Sequence, residues 1–278
     1  MSDAQPLTGE IGVTTTTTGV QAYSSITILA GGGRVVTWES TDGAGRGIFA
    51  RRYDAGGAAV GSEFRVNALT TGEQTAASIA ALADGGFAIV WRSNNIDGSY
   101  LQPPMFRGQR FDADGNAQGG EFGLPTPPAW DGIVGYPSVA ARSGGGFVVT
   151  WDYYVYQEVG GLDVGLTGHV YGQLYGTDGA AVGGAFEVSN YVQPDLNQRK
   201  SSLTGLSDGG FVVAWSVADG FVSTSHDEVY ARRYDAAGVA IDEQMRVNRA
   251  LSDYYFTDST SIAGLEEAPM WSPGRPIR

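Results

Sequence analysis

The chain has no cysteine. Disulfides, thiolate nucleophiles and cysteine-ligated metal are therefore excluded, and redox compartment gives no clue to location. Histidine is nearly as scarce, with His169 and His226 alone. His226 stands beside Asp227 and Glu228, but ligands adjacent in sequence seldom converge on one ion, so a solvated loop is expected there. Basic residues are few: 17 Lys and Arg against 30 Asp and Glu, a net charge of −13. Such a field repels nucleic acid and anionic membrane, so neither is expected as a partner. No apolar run approaches the roughly 18 residues of a spanning helix, which argues against direct membrane insertion. The first residues, MSDAQPLT, have neither a positive n-region nor an apolar h-region, and no cleavable signal is expected from them.

What the chain does have is repetition. The phrase SIAALADGGFAIVW ends at Trp91 and recurs as SITILAGGGRVVTW to Trp38, SVAARSGGGFVVTW to Trp151 and SLTGLSDGGFVVAW to Trp215. A fifth copy begins at Ser261 without the glycine turn. Each phrase supplies two strands, A and B. Strand C follows as IFARRYD (48–54), FRGQRFD (106–112), VYGQLYG (170–176) and VYARRYD (229–235), and strand D as the short motifs EFRV, EFGL, AFEV and QMRV. Short aliphatic and aromatic runs bounded by Gly and Asp are strand signals, and no stretch sustains a helical period.

The A–B and C–D connections carry hairpin chemistry, whereas B–C and D–A vary in length and content. In an antiparallel meander the tight turns share one face and the variable loops share the other. Four antiparallel strands per unit predict an all-β, propeller-like array. Full units lie near 25–66, 78–124, 138–188 and 202–247, within one domain over 1–265, with an irregular tail over 266–278. An orphan D motif, EIGV, precedes the first unit and an orphan A follows the last. Either the two complete a fifth blade, or the chain is a segment of a longer array. Small residues at one place in strand C (Ala50, Gly108, Gly172, Ala231) predict close approach by the neighbouring blade. The registered arginines Arg51, Arg52, Arg110, Arg232 and Arg233 predict stacking on rings or pairing with Asp.

The repeat resembles one found in tandem in large secreted bacterial proteins of the RTX type, with units like "PSVAALADGGFVVVW…GQRFDADGNAVGGEFRVN". The likeness covers roughly residues 10–265, and residues 106–151 are its nearest copy. It implies an exported, adhesin-like, extracellular or cell-surface setting in a bacterium. The calcium-binding Gly-Gly-x-Gly-x-Asp nonapeptides of RTX arrays are absent here. One turn, Asp112-Ala-Asp114-Gly-Asn116, places oxygens at alternate positions as calcium loops do, and makes those three residues the candidate metal ligands.

Repeated residues build the blade, so function is sought where the units differ. The variable loops are rich in aromatics beside acids: Tyr100, Trp130, Asp131, Tyr136, Tyr153, Tyr154, Tyr156, Tyr191, Tyr254 and Tyr255. Exposed rings beside carboxylates suit sugars or a protein surface. The leading expectation is thus a non-enzymatic binding or adhesion module for a surface glycan or protein partner. A second is an accessory subunit docking on a larger assembly. A third is a propeller glycosidase using loop carboxylates, with Asp131, Asp152, Glu158, Asp163, Asp195 and Asp219 placed for it.

Overall fold

A computed structural model describes residues 12–16, 18–94, 105–125, 133–159, 162–189, 196–219, 228–248 and 261–263. Among these described residues, sixteen strands fall into four units of four. The first holds β1 (Gln21–Ile28), β2 (Arg34–Thr41), β3 (Gly45–Tyr53) and β4 (Ala59–Arg65). The second holds β5 (Gly72–Ala81), β6 (Phe87–Asn94), β7 (Met105–Phe111) and β8 (Ala117–Gly123). The third holds β9 (Ile133–Ala141), β10 (Phe147–Val159), β11 (Leu162–Tyr175) and β12 (Ala181–Glu187). The fourth holds β13 (Leu196–Gly205), β14 (Phe211–Asp219), β15 (Glu228–Tyr234) and β16 (Met245–Arg246). Among the described residues there is no helix, so none is long and apolar enough to cross a membrane.

Each unit is an antiparallel meander, and one hairpin chemistry makes its tight turns. In the second unit Gly85 N–H donates to Leu82 O and Leu82 N–H to Gly86 O, with Gly85 at φ 88°. The same pair of bonds closes every A–B and C–D turn of the four units. It is a turn ended by a left-handed residue, which glycine alone adopts without strain.

Successive A strands (β1, β5, β9, β13) touch one another, while the D strands β4, β8 and β12 are largely exposed. Strand A therefore lies innermost and D outermost, as in a propeller. Parallel bridges join strand C of one unit to strand A of the next: Gly45↔Gly72 and Gly168↔Asn197. All A strands consequently run the same way, beginning on the face of the B–C and D–A connections. That face is called the mouth below.

The cores lie between units. Val35, Ile48 and Val66 of the first unit pack with Ile79, Phe87 and Trp91 of the second. Leu82, Phe106 and Leu124 pack in turn with Phe147, Trp151 and Tyr175 of the third. The D-strand phenylalanine spans each gap: Phe64 meets Phe111, Phe122 meets Tyr175, and Phe186 meets Tyr234. The small residues of strand C take their explanation here, which differs from the expectation. A Cβ at Gly108 would sit 2.4 Å from the Phe122 ring, and one at Gly172 would sit 2.7 Å from Phe186. The close neighbour is the unit's own strand D, not the adjacent blade.

Candidate functional site

Near the mouth every A strand carries a β-bulge, seen as a register shift against strand B. Tyr23, Ala76, Tyr136 and Lys200 occupy the same place in the four units, two residues before the repeated serine. Tyr23, Ala76 and Lys200 have φ of 52°, 56° and 54°. A left-handed L-residue costs about 1–2 kcal/mol, so something must hold each bulge in place. For Ala76 and Lys200 the holder is the residue after the repeated tryptophan of the preceding unit, and the equivalent residue touches the Tyr136 ring. Glu39 Oε1 accepts from Ala76 N–H at 2.7 Å, the Arg92 guanidinium lies 5.7 Å from the centre of the Tyr136 ring, and Asp152 bonds the Lys200 backbone. Within a strictly repeated frame this one position reads Glu39, Arg92, Asp152 and Ser216.

Asp152 is fully buried. Its Oδ1 accepts from Tyr136 N–H at 2.9 Å and its Oδ2 from the Tyr154 hydroxyl at 2.8 Å. Burial pushes its carboxyl above the ordinary range, and these bonds pull it back only in part. Tyr154 is also pushed up, first by burial and then by the Asp152 charge, so it holds its proton and acts as a donor. Room for the carboxylate exists because residue 135 is glycine: a Cβ there would lie 1.8 Å from Asp152 Oδ2. A Cβ at Gly168 would lie 2.5 Å from Gln198 O, which lets the third unit bridge the fourth beside Tyr154.

On the first two units the mouth carries a second cluster. Arg46 Nη1 lies 3.0 Å from Glu39 Oε2, and Arg46 Nε lies 3.1 Å from Glu73 Oε2. The bond to Glu39 is the main reason that the guanidinium is pushed up and stays charged. Glu39 is buried, while the Glu73 side chain is 37% exposed. Two carboxylates on one planar guanidinium have their bonded oxygens no more than roughly 8 Å apart. The parallel bridge makes the arrangement possible: Gly45 has φ 145°, and a Cβ there would lie 2.4 Å from Gly72 O.

The predicted aromatic loop face needs correction. Tyr153, Tyr154 and Tyr156 are strand residues, because β10 and β11 extend as a ribbon paired as far as Val159↔Leu162. Tyr153 is buried, so it cannot be an exposed binding ring, and Tyr154 serves Asp152. Tyr136 is 46% exposed and remains at the mouth. The backbone of Tyr156 is described but its side chain is not, and Tyr100, Trp130, Asp131, Tyr191, Tyr254 and Tyr255 lie outside the described residues, as do Asp195 and His226. The side chains of Glu158, Asp163 and Asp219 are likewise undescribed.

The candidate calcium turn forms a hairpin at the opposite face. Asp112 Oδ1 accepts from the N–H groups of Asp114 and Asn116, and Asn116 Nδ2 donates to Asp112 Oδ2 at 2.9 Å. Asp114 pairs with Arg52 of the preceding unit. Asp112 and Asn116 are thus acceptor and donor to each other within the turn. Gly205-Leu206-Ser207-Asp208-Gly209 has the spacing of a serine-hydrolase elbow. It lies in a strand-to-strand hairpin, however, without the helix that an elbow requires. His169 Nδ1 contacts Glu187 Oε1 at 2.6 Å on the outer part of the third unit.

No protein-family model and no curated protein sequence matches the chain. Solved structures do. An α-L-arabinanase from Penicillium chrysogenum, in complex with arabinobiose, aligns with a TM-score of 0.55 at 15% identity, over 82% of this chain and 66% of the arabinanase. An α-L-arabinofuranosidase from Fusarium graminearum, in complex with an iminosugar inhibitor, gives a TM-score of 0.55 at 12% identity, over 82% and 66%. A polysaccharide lyase, ulvan lyase, gives 0.52 at 12% identity, over 83% and 58%. The chain spans just under two thirds of the first two and less of the third. This likeness establishes the propeller-like fold. It also overturns the expectation of a non-enzymatic adhesion module, since these structural neighbours are carbohydrate-active enzymes.

Proposed function

We propose that the protein cleaves a polysaccharide at the mouth of the strand axis, as a glycoside hydrolase. The observation that carries this reading is the Glu39–Arg46–Glu73 cluster, two carboxylates on one guanidinium where strands B and C of the first unit meet strand A of the second, in a fold shared with glycosidases. Glu73, partly open to solvent, gives its proton to the glycosidic oxygen as that C–O bond breaks. The resulting carboxylate then takes a proton from the water that adds to the anomeric carbon, so that one water is added across the bond and Glu73 is restored. Glu39, with both oxygens engaged, fixes Arg46 and the Ala76 bulge. Once Glu73 has given up its proton, two carboxylates around one cation leave a net negative charge, which favours the positive charge on the sugar ring. Asp152 and Tyr154 are positioning residues, since they hold the Tyr136 and Lys200 bulges. The partner is a glycan chain, met outside the cell as the RTX-type resemblance implies.

Elimination by a lyase needs a base to remove a ring proton. Tyr154, whose proton is held, does not supply one. Incubation with a panel of plant and algal polysaccharides, with assays for reducing ends and for unsaturated uronate absorbance, tests the reading. New reducing ends without the absorbance are expected. A panel left wholly uncleaved, or products bearing the unsaturated sugar, would overturn it.

A further inference from the structure

We infer that Gln74 and Trp91 are positioning residues for Glu73. The buried Trp91 indole, bonded to the Gln74 amide, fixes the strand from which the acid reaches Arg46. Their role rests on the reading of Glu73 as the proton donor, and goes beyond it by giving one copy of the repeated tryptophan a task of its own.

Glu73 stands on an irregular backbone. Gly72 before it has φ 78°, and Ala76, at the bulge after it, has φ 56°. Glycine leaves the chain free to turn and a bulge interrupts the ladder, so the short stretch between them needs anchors of its own. Two come from the first unit: the parallel bridge Arg46↔Glu73, and the bond from Ala76 N–H to Glu39. The third lies within the second unit. Trp91 Nε1 donates to Gln74 Oε1 at 3.1 Å, and Gln74 Nε2 donates to Thr71 O at 3.1 Å. One side chain thus brackets Gly72 and Glu73, tied to the backbone before them and to a ring in the core. Trp91 and Gln74 are both fully buried, so water does not replace a lost partner.

The other units show that this bond is not part of the common frame. At the place of Glu73 they carry Val20, Ile133 and Asn197. At the place of Gln74 the first unit has Gln21, which donates to Ser40 Oγ at 2.8 Å and whose Oε1 has no partner. The third unit has Val134 there, which has no amide to offer. In the fourth, Trp215 is as buried as Trp91, yet its Nε1 has no hydrogen-bond partner. Trp215 shows that the repeat folds with this N–H unpaired, so the bond at Trp91 is not a requirement of the core. Among the described residues, the bond and the carboxylate beside it occur together, in the unit that meets Arg46.

Phenylalanine at the two tryptophan positions separates the bond from the packing. W91F and W215F remove the same volume from equally buried places, but only W91F breaks a hydrogen bond. On the polysaccharide that the protein cleaves best, W91F and Q74L should lose roughly tenfold or more in kcat with little change in KM, the cost of a misplaced acid. W215F should keep the wild-type kcat although it leaves the same cavity. Where W91F does not fold, replacement of Trp91 by benzothienylalanine, which keeps the fused ring and lacks the N–H, decides on the same readout. Amide exchange over residues 72–76 reads the placement without turnover, and should quicken in W91F and not in W215F. Wild-type kcat in the folded Trp91 variant, or an equal loss of kcat in W215F, would overturn the proposal. If E73Q is inactive while W91F keeps its rate, only the positioning role fails. If no polysaccharide is cleaved, only the enzymatic reading fails, and exchange alone decides: quickening in W91F upholds the anchor, and unchanged exchange overturns it.

Discussion

At the residue scale the most informative position is the one after each repeated tryptophan. The sequence shows it plainly as Glu39, Arg92, Asp152 and Ser216, yet attention falls on the loops because that position sits inside a run that otherwise builds the blade. Asp152 falls among the candidate acids by location alone, and nothing local in the sequence marks Glu39 or Glu73. The missing signal is that the position varies in charge where its neighbours do not. Asp152 has a folded-state pKa raised by burial, so its contribution is fully present below the unfolded value near 4 and is lost as pH rises through the folded value. Melting temperature followed from pH 4 upward should therefore fall along a slope that D152N flattens. An unchanged slope in D152N would assign it to other groups. G135A, whose methyl has no space beside Asp152, should cost about 2–3 kcal/mol in chemical denaturation.

At the element scale the strands and hairpins were legible, because glycine-bearing turns and alternating runs leave few alternatives. The long ribbon of β10 and β11 was not. Asp152-Tyr153-Tyr154-Val155-Tyr156 reads as an aromatic loop, since nothing local marks pairing that depends on the partner strand opposite. The pairing of glycine with phenylalanine across strands C and D was equally hidden, since Gly108 and Phe122 meet only through register. F122A should cost about 2–3 kcal/mol by removing a ring that bridges two units. G108A should destabilise the wild type and be nearly neutral in the F122A background, a coupling that a double-mutant denaturation cycle measures. Additive effects would contradict the register contact.

At the scale of the whole molecule the cores lie between units, so an end unit depends on what covers it. Val13 packs on Trp38 and Tyr53 of the first unit, and its carbonyl accepts from Arg51 and Tyr53. Ile262 packs on Val212 and Ala214 of the fourth. Burial alone would push Glu63 up, but bonds from Thr15 and Thr16 hold it below the usual carboxylate range. Stability from that anchor is present above the unfolded pKa near 4.3 and is lost as pH falls through the folded value. Deleting residues 1–16 should lower the melting temperature by about 2–5 °C at neutral pH, and by less in acid. An equal shift at both pH values would show that Glu63 does not carry the anchor.

The central claim is that a glycan is cleaved beside the Glu39–Arg46–Glu73 cluster. Its most direct measure is the initial rate of E73Q against wild type on the polysaccharide that the protein cleaves best, with melting curves confirming an intact fold. Loss of acid–base function predicts a fall of roughly a hundredfold or more in kcat with little change in KM. A folded E73Q enzyme that retains the wild-type rate would contradict the account.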